Sequence, residues 1–242
     1  MIRNALRWVL PIALLTLILL FPLRWLVELA GLERAGLSAR SVSGSVWDGR
    51  LEQAQLGGFE LGSLDAQLSP GPLLLGRARL NLVPAGEQNL NPAAALPGIR
   101  GSVERRAGGR TILTGLDGLA TRGRIGAVPL RELRFAGVNL DMGRDGCRAA
   151  SGRVTMVPAL SFGPLTLSEG FTGAIRCDGR NLELPLASSG GNERLTLTLA
   201  PDGSYSARLG IGASDPLVGA ALGVAGFQPV DGAWVRVIRG RL

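Results

Sequence analysis

The sequence contains no histidine and no lysine. Without histidine it lacks the side chain that most often serves as a general base near neutral pH, and also the commonest metal ligand. Only two cysteines are present, Cys147 and Cys177, too few to build a metal site without imidazole or further thiolate ligands. Aromatic residues are 5% of the chain, and all 26 basic side chains are arginines, scattered through short apolar runs rather than grouped. Basic clusters interleaved with stacking aromatics are therefore missing, and nucleic acid is not an expected partner. Nor is there a Gly-x-Ser-x-Gly elbow, a phosphate-binding Walker loop or a dinucleotide fingerprint. The acidic residues stand singly, mostly at turns such as Asp48, Asp117, Asp178, Asp202 and Asp231, where aspartate has a backbone role. These absences argue against an enzyme and against a bound cofactor or metal.

What the chain has instead is an apolar run near its start, Trp8 to Leu23, with no charge in it and with Arg3 and Arg7 just before it. A spanning helix needs about 20 apolar residues. Arg24 can snorkel, Trp25, Leu26 and Val27 extend the run, and Trp8 and Trp25 fall where indole rings prefer the two interfaces. Pro11 and Pro22 lie near the ends, where a missing backbone donor is best tolerated. A cleaved signal peptide has the same outline, but cutting after Ala30 or Ala35 leaves Glu28 or Glu33 in the cleavage sequence. The expectation is an uncleaved single-pass anchor over residues 8–27, with residues 1–7 cytoplasmic by the positive-inside tendency. Residues 28–242 then lie across the inner membrane of a bacterium, in the periplasm.

The remainder reads as all-β. Glycine is abundant, at 36 residues, and apolar side chains alternate with polar ones between glycine and Asn/Asp punctuation. A strand from Ser41 reaches Trp47, a sheet-core anchor, and turns at Asp48-Gly49; further strands run to Leu56 and from Phe59 to Leu68. Ser69 to Pro72 breaks the pattern and Leu73 to Val83 resumes it. Residues 84–98 carry three prolines and no periodicity, which makes them a loop and a candidate subdomain break. Alternation returns at Ile99–Arg105, Thr111–Leu116, Ala127–Leu133 and Leu133–Asp141, with a change of face at Gly137 that signals a β-bulge. Asn181–Leu186, Leu195–Leu199 and Tyr205–Ile211 are strands. Asp215 and Pro216 form an N-cap and first helical position for one short helix ending at Gly223 or Gly226. Phe227–Val230 and Ala233–Leu242 are closing strands. In an oxidising compartment Cys147 and Cys177, each on or beside a strand, are expected to pair; two buried free thiols are the alternative.

The order of these features carries a resemblance. Gly-Ser-Val-Trp-Asp-Gly at 44–49, Ser-Pro-Gly-Pro-Leu-Leu-Leu-Gly at 69–76, the cysteine pair with its Cys-Asp-Gly, and Gly226-Phe227 together resemble the type II secretion system protein N family (general secretion pathway protein N), over nearly the whole chain. That family is similar to AsmA-like envelope proteins, whose long twisted sheets form an apolar groove. The resemblance implies a curved, open antiparallel sheet behind a single transmembrane helix. It implies an accessory inner-membrane component for export of folded proteins across the outer membrane, with other secretion subunits as partners and no catalytic residues. The alternative is a lipid-handling envelope module, suggested by apolar side chains at outward positions of Leu73–Leu75 and Leu182–Leu186; a fully buried core strand explains the same runs.

Overall fold

The computed structural model describes residues 22–23, 37–86, 98–125, 128–162, 165–167, 170–213 and 215–241. The alternating segments become strands laid side by side, because a period-two pattern leaves each strand one apolar face that only neighbours on the same side can cover. In chain order these are β1 (Leu37–Ser38), β2 (Ser41–Gly44), β3 (Gly49–Leu56), β4 (Phe59–Leu68), β5 (Arg77–Pro84), β6 (Gly98–Arg106), β7 (Thr111–Ile125), β8 (Val128–Gly143) and β9 (Gly146–Pro158). They continue with β10 (Leu160–Phe162), β11 (Leu165–Leu167), β12 (Phe171–Ala174), β13 (Arg176–Asp178), β14 (Asn181–Ser188), β15 (Glu193–Leu199), β16 (Ser204–Ile211), β17 (Gln228–Val230) and β18 (Ala233–Arg241). Sixteen strands form one sheet in the order β1-β3-β4-β5-β6-β7-β8-β9-β12-β14-β15-β16-β18-β17, with β2 beside β3 and β13 beside β14. Strands β10 and β11 make a separate hairpin. The sheet is a meander in which sequence neighbours are nearly always spatial neighbours.

It does not lie flat. The second half of β4 pairs with β5, from Leu64 opposite Pro84 to Leu68 opposite Leu80, while Glu60 in its first half pairs with Thr121 of β7. The Phe59 ring lies over Gly123, where any Cβ would collide with it. In β8 the bulge anticipated at Gly137 is present. Gly137 has φ +58°, the β8–β9 register slips between Ala136 and Asn139, and the Gly137 N–H donates to Asp117 Oδ1 at 2.6 Å. The inward set consequently passes from Leu133 and Phe135 to Val138.

Three expectations change. The turn near Trp47 is not centred on Asp48-Gly49: β2 and β3 end opposite each other at Gly44 and Gly49, and the positive φ, +83°, is taken by Gly44. The Ser45 hydroxyl organises the intervening turn by accepting from Trp47 N–H and Asp48 N–H at 3.3 Å each, and the Ser45 N–H donates to the Asp48 carbonyl at 3.1 Å. Second, Leu73–Leu75 are not strand residues. Proline at 70 and 72 starts the short helix α1 (Pro70–Leu73), and Leu74 and Leu75 follow in its closing turn, 90% and 71% exposed. Third, Thr111–Leu116 is only the start of the 15-residue β7, and the two runs flanking Leu133 are one 16-residue strand, β8.

Among the described residues no helix is long and apolar enough to cross a membrane. The anchor expected over residues 8–27 lies outside the described residues apart from Pro22 and Leu23, as does most of the loop at 84–98.

Candidate functional site

Register pairs place the inward side chains row by row. Phe171 of β12 lies opposite Met156 of β9, which lies opposite Leu133 of β8, and Val154 lies opposite Phe135. Phe171, Met156, Val154 and Leu133 are buried, and with Leu51, Leu64, Ile99 and Ala120 they form one continuous core. The same face then continues across β14, β15 and β16 as facing leucines: Leu182 with Leu199, Leu184 with Leu197, Leu186 with Leu195, and Leu195 with Leu209. Here only Leu186 is fully buried; the rest of the row is half-buried. The apolar face therefore passes from a closed core to a partly open leucine surface. Leu182–Leu186 thus face the apolar side of the sheet, and their outward neighbours include Glu183.

Helix α2 (Pro216–Val224) closes the far end of this face. Asp215 caps it, its Oδ1 accepting from Leu217 N–H at 2.8 Å, and Pro216 occupies the first turn, where no amide donor is needed. Leu222 packs with Phe227 and Ile211, and with Leu209 and Trp234 around them. The helix approaches closely because Gly219 has no side chain; a Cβ there would stand 2.9 Å from Trp234 Cζ2.

The opposite face is charged. Arg50 of β3 pairs with Asp65 of β4 at 2.8 Å, and Arg176 of β13 with Glu183 of β14 at 2.7 Å. One cross-strand row runs from Arg79 through Glu104 and Ile112 to Asp141. Glu104 is 5% exposed and is held by Arg106 at 2.6 Å, with Arg79 Nε 3.4 Å away. Arg110 bonds Asp141 through both nitrogens, Nε to Oδ1 at 2.7 Å and Nη2 to Oδ2. The hydrogen bond from Arg106 is the main influence on Glu104 and holds its carboxyl below the ordinary value; burial opposes it, and the Arg106, Arg79 and Arg77 charges reinforce it. Asp141 is lowered in the same way, first by its bond from Arg110, again against burial.

Because both carboxyls titrate lower in the folded chain than in the unfolded one, their contribution is complete above the unfolded pKa, about 4. It is lost as pH falls through the depressed folded values. The urea midpoint is expected to fall as pH is lowered below about 5, and Asp141→Asn, which cannot ionise, should flatten part of that fall. An Asp141→Asn chain with an unaltered pH profile would show that the pair does not contribute.

Trp47 is half-buried against the core, and the fully buried member of its turn is Val46. Asp48 is exposed. Gly49 is needed for packing: a Cβ would strike the Leu23 side chain and stand 2.8 Å from the Ser45 carbonyl. Leu23 is buried, and Pro22 makes an antiparallel bridge to Ser45, so the end of the apolar run rests on this turn. Cys147 of β9 and Cys177 of β13 are joined, with Cα atoms 5.5 Å apart. β12 pairs with β9 as far as Ala174 opposite Arg153, after which Ile175 N–H donates to the Gly152 carbonyl and the chain shifts to β13. The disulfide reattaches that segment to β9. Sequence reasoning missed the Glu104 and Asp141 pairs: Arg110 and Asp141 are 31 residues apart with no local spacing to connect them, whereas Glu104 and Arg106, two residues apart on β6, share a face that the period of two could have shown. Among the described residues no group of three or more Cys, Asp or Glu side chains is arranged to hold a metal.

No curated protein and no solved structure gives a match to the chain. The family model for the type II secretion system (T2SS), protein N, however, matches residues 35–236, which take in the turn at Trp47, the leucine face, the disulfide and helix α2, and the chain accordingly belongs to that family.

Proposed function

We propose that the protein is an accessory structural component of the type II secretion apparatus, held in the inner membrane by residues 8–27, with residues 28–242 as its periplasmic part. The observation that carries this reading is the family match over residues 35–236, which establishes involvement in type II secretion in general. Two features of the fold support it. The charged face carries ion pairs that link neighbouring strands, a surface suited to a polar partner. The contact of Pro22 and Leu23 with the turn at Ser45–Gly49 couples the end of the apolar run to the sheet, so that an anchor there orients the whole sheet at the membrane.

A second reading is favoured by one observation. The leucines of β14–β16 stay half-buried over three adjacent strands, a surface suited to acyl chains in a lipid-handling module.

A photo-crosslinking residue at Leu197, on the open part of the apolar face, and another at Thr198, its neighbour on the charged face, separate the two in cells. Amine-directed reagents are of little use because the chain has no lysine. Secretion subunits captured from Thr198 are the expected result. Phospholipid captured at Leu197, with no secretion subunit from either position, would replace the first reading with the second.

A further inference from the structure

The sheet ends on an open edge. Strand β18 is paired with β16 from Trp234 to Arg241, but on its other side β17 covers only Ala233, Trp234 and Val235. Arg236 to Arg241 therefore present a backbone edge of six residues with no strand beside it among the described residues. Alternate residues along such an edge direct their N–H and C=O groups outward, where they can template an added strand.

The side chains restrict what can be added. Ile238 pairs with Ala207 on the apolar side, whereas Val237, Arg239 and Arg241 lie on the other side, next to Arg208, Ser206 and Ser204 of β16. Arg236, Arg239 and Arg241 are exposed, and the neighbouring Arg208 is too. Arg241 reaches the Asp202 backbone carbonyl at 3.1 Å and Arg236 the Ala225 carbonyl at 2.9 Å; Arg239 has no ion-pair partner among the described residues. The nearby Asp202 carboxylate is occupied by Ser204, whose N–H and hydroxyl both donate to Oδ1. A second copy of the same edge would set arginine against arginine, and like charges directly opposite one another are destabilising.

We propose that the Arg236–Arg241 edge is a docking site for an extended acidic segment of a partner protein, added as a strand to β18. Its carboxylates at alternate positions would face Arg239 and Arg241, and its intervening apolar side chains would extend the apolar side beyond Ile238. This inference goes beyond the proposed role in secretion and does not depend on it, since it rests on strand pairing and charge alone.

The test uses the full chain in detergent and a labelled, blocked peptide of alternating glutamate and valine, with an alternating lysine–valine peptide as control. The glutamate peptide should bind, weaken with added salt, and slow hydrogen exchange at backbone amides within 236–241. Arg239→Glu with Arg241→Glu should reduce that binding roughly tenfold and confer binding of the lysine peptide. Far-UV circular dichroism of the variant checks that the sheet is retained, and Arg208→Gln, one strand in, should cost less than the double reversal. Failure of the glutamate peptide to bind overturns the proposal. Binding without amide protection does so too, since it would show only diffuse attraction to arginines. Equal binding of the two peptides, or self-association through this edge, also overturns it.

Discussion

Breaking the Cys147–Cys177 bond is expected to lower the stability of the folded chain by about 3 to 4 kcal/mol. The bond closes a loop of 30 residues, and in the chain-entropy treatment the effect lies in the unfolded chain, which gains freedom when the crosslink is removed. It should therefore appear as a shift in urea midpoint between oxidised and reduced protein. Cys147→Ser with Cys177→Ser should sit at the reduced value and ignore reductant. A reduced chain that unfolds at the oxidised midpoint would rule the effect out. Location adds a specific consequence. Between Ala174 and Arg176 the chain stops pairing with β9, so after reduction hydrogen exchange should rise first in β13, whose remaining pairing is with β14.

Phe171→Ala should cost a comparable amount, about 3 to 5 kcal/mol. Phe171 is 2% exposed and lies where the sheet passes from β9 to β14, opposite Met156 on one side and Ser188 on the other. Truncation would leave a cavity that strands held by ladders on both sides can collapse only partly, whereas Phe171→Leu should cost much less. Urea titration of both variants against the parent checks the ordering; an alanine variant as stable as the leucine variant would show that the site refills. Since single domains commonly have only about 5 to 15 kcal/mol in hand, Phe171→Ala under reducing conditions should leave little folded chain at 37 °C.

Much of this architecture was legible because its determinants are local. Asp215 before Pro216, the glycine at 137 between two alternating runs, and Asp231-Gly232 each specify backbone geometry within a few residues. The misplaced turn at Asp48-Gly49 shows the limit of the same reasoning. Two glycines bracket that turn, and the choice was made by the Ser45 hydroxyl and by Leu23, which arrives from more than twenty residues earlier and leaves Gly49 no room for a side chain. Leu73–Leu75 misled for a different reason: three leucines in a row fit a buried strand, yet the prolines at 70 and 72 bend the backbone into a helical turn before any pairing can begin. The curl that brings Glu60 to Thr121, and the approach of Arg79 on β5 to the buried Glu104 on β6, depend on contacts across strands that no spacing in the sequence encodes, whereas Arg106 stands two residues from Glu104 on the same strand. The candidate site follows the same division. Its leucines were visible as an alternating run, but that they remain half-open depends on what packs above them, which no spacing in the sequence encodes.

The nearly monotonic strand order has a kinetic meaning. From β3 to β9 each strand is completed by the one synthesised just after it, so these pairings join strands adjacent in the sequence rather than distant ones. A chain emerging N-terminus first can grow this sheet hairpin by hairpin, with a single live edge at any moment that the next few residues cover. Interruption part-way would leave that edge waiting, and the growing fragment would be most prone to aggregate while β7 and β8, the longest strands, await their neighbours.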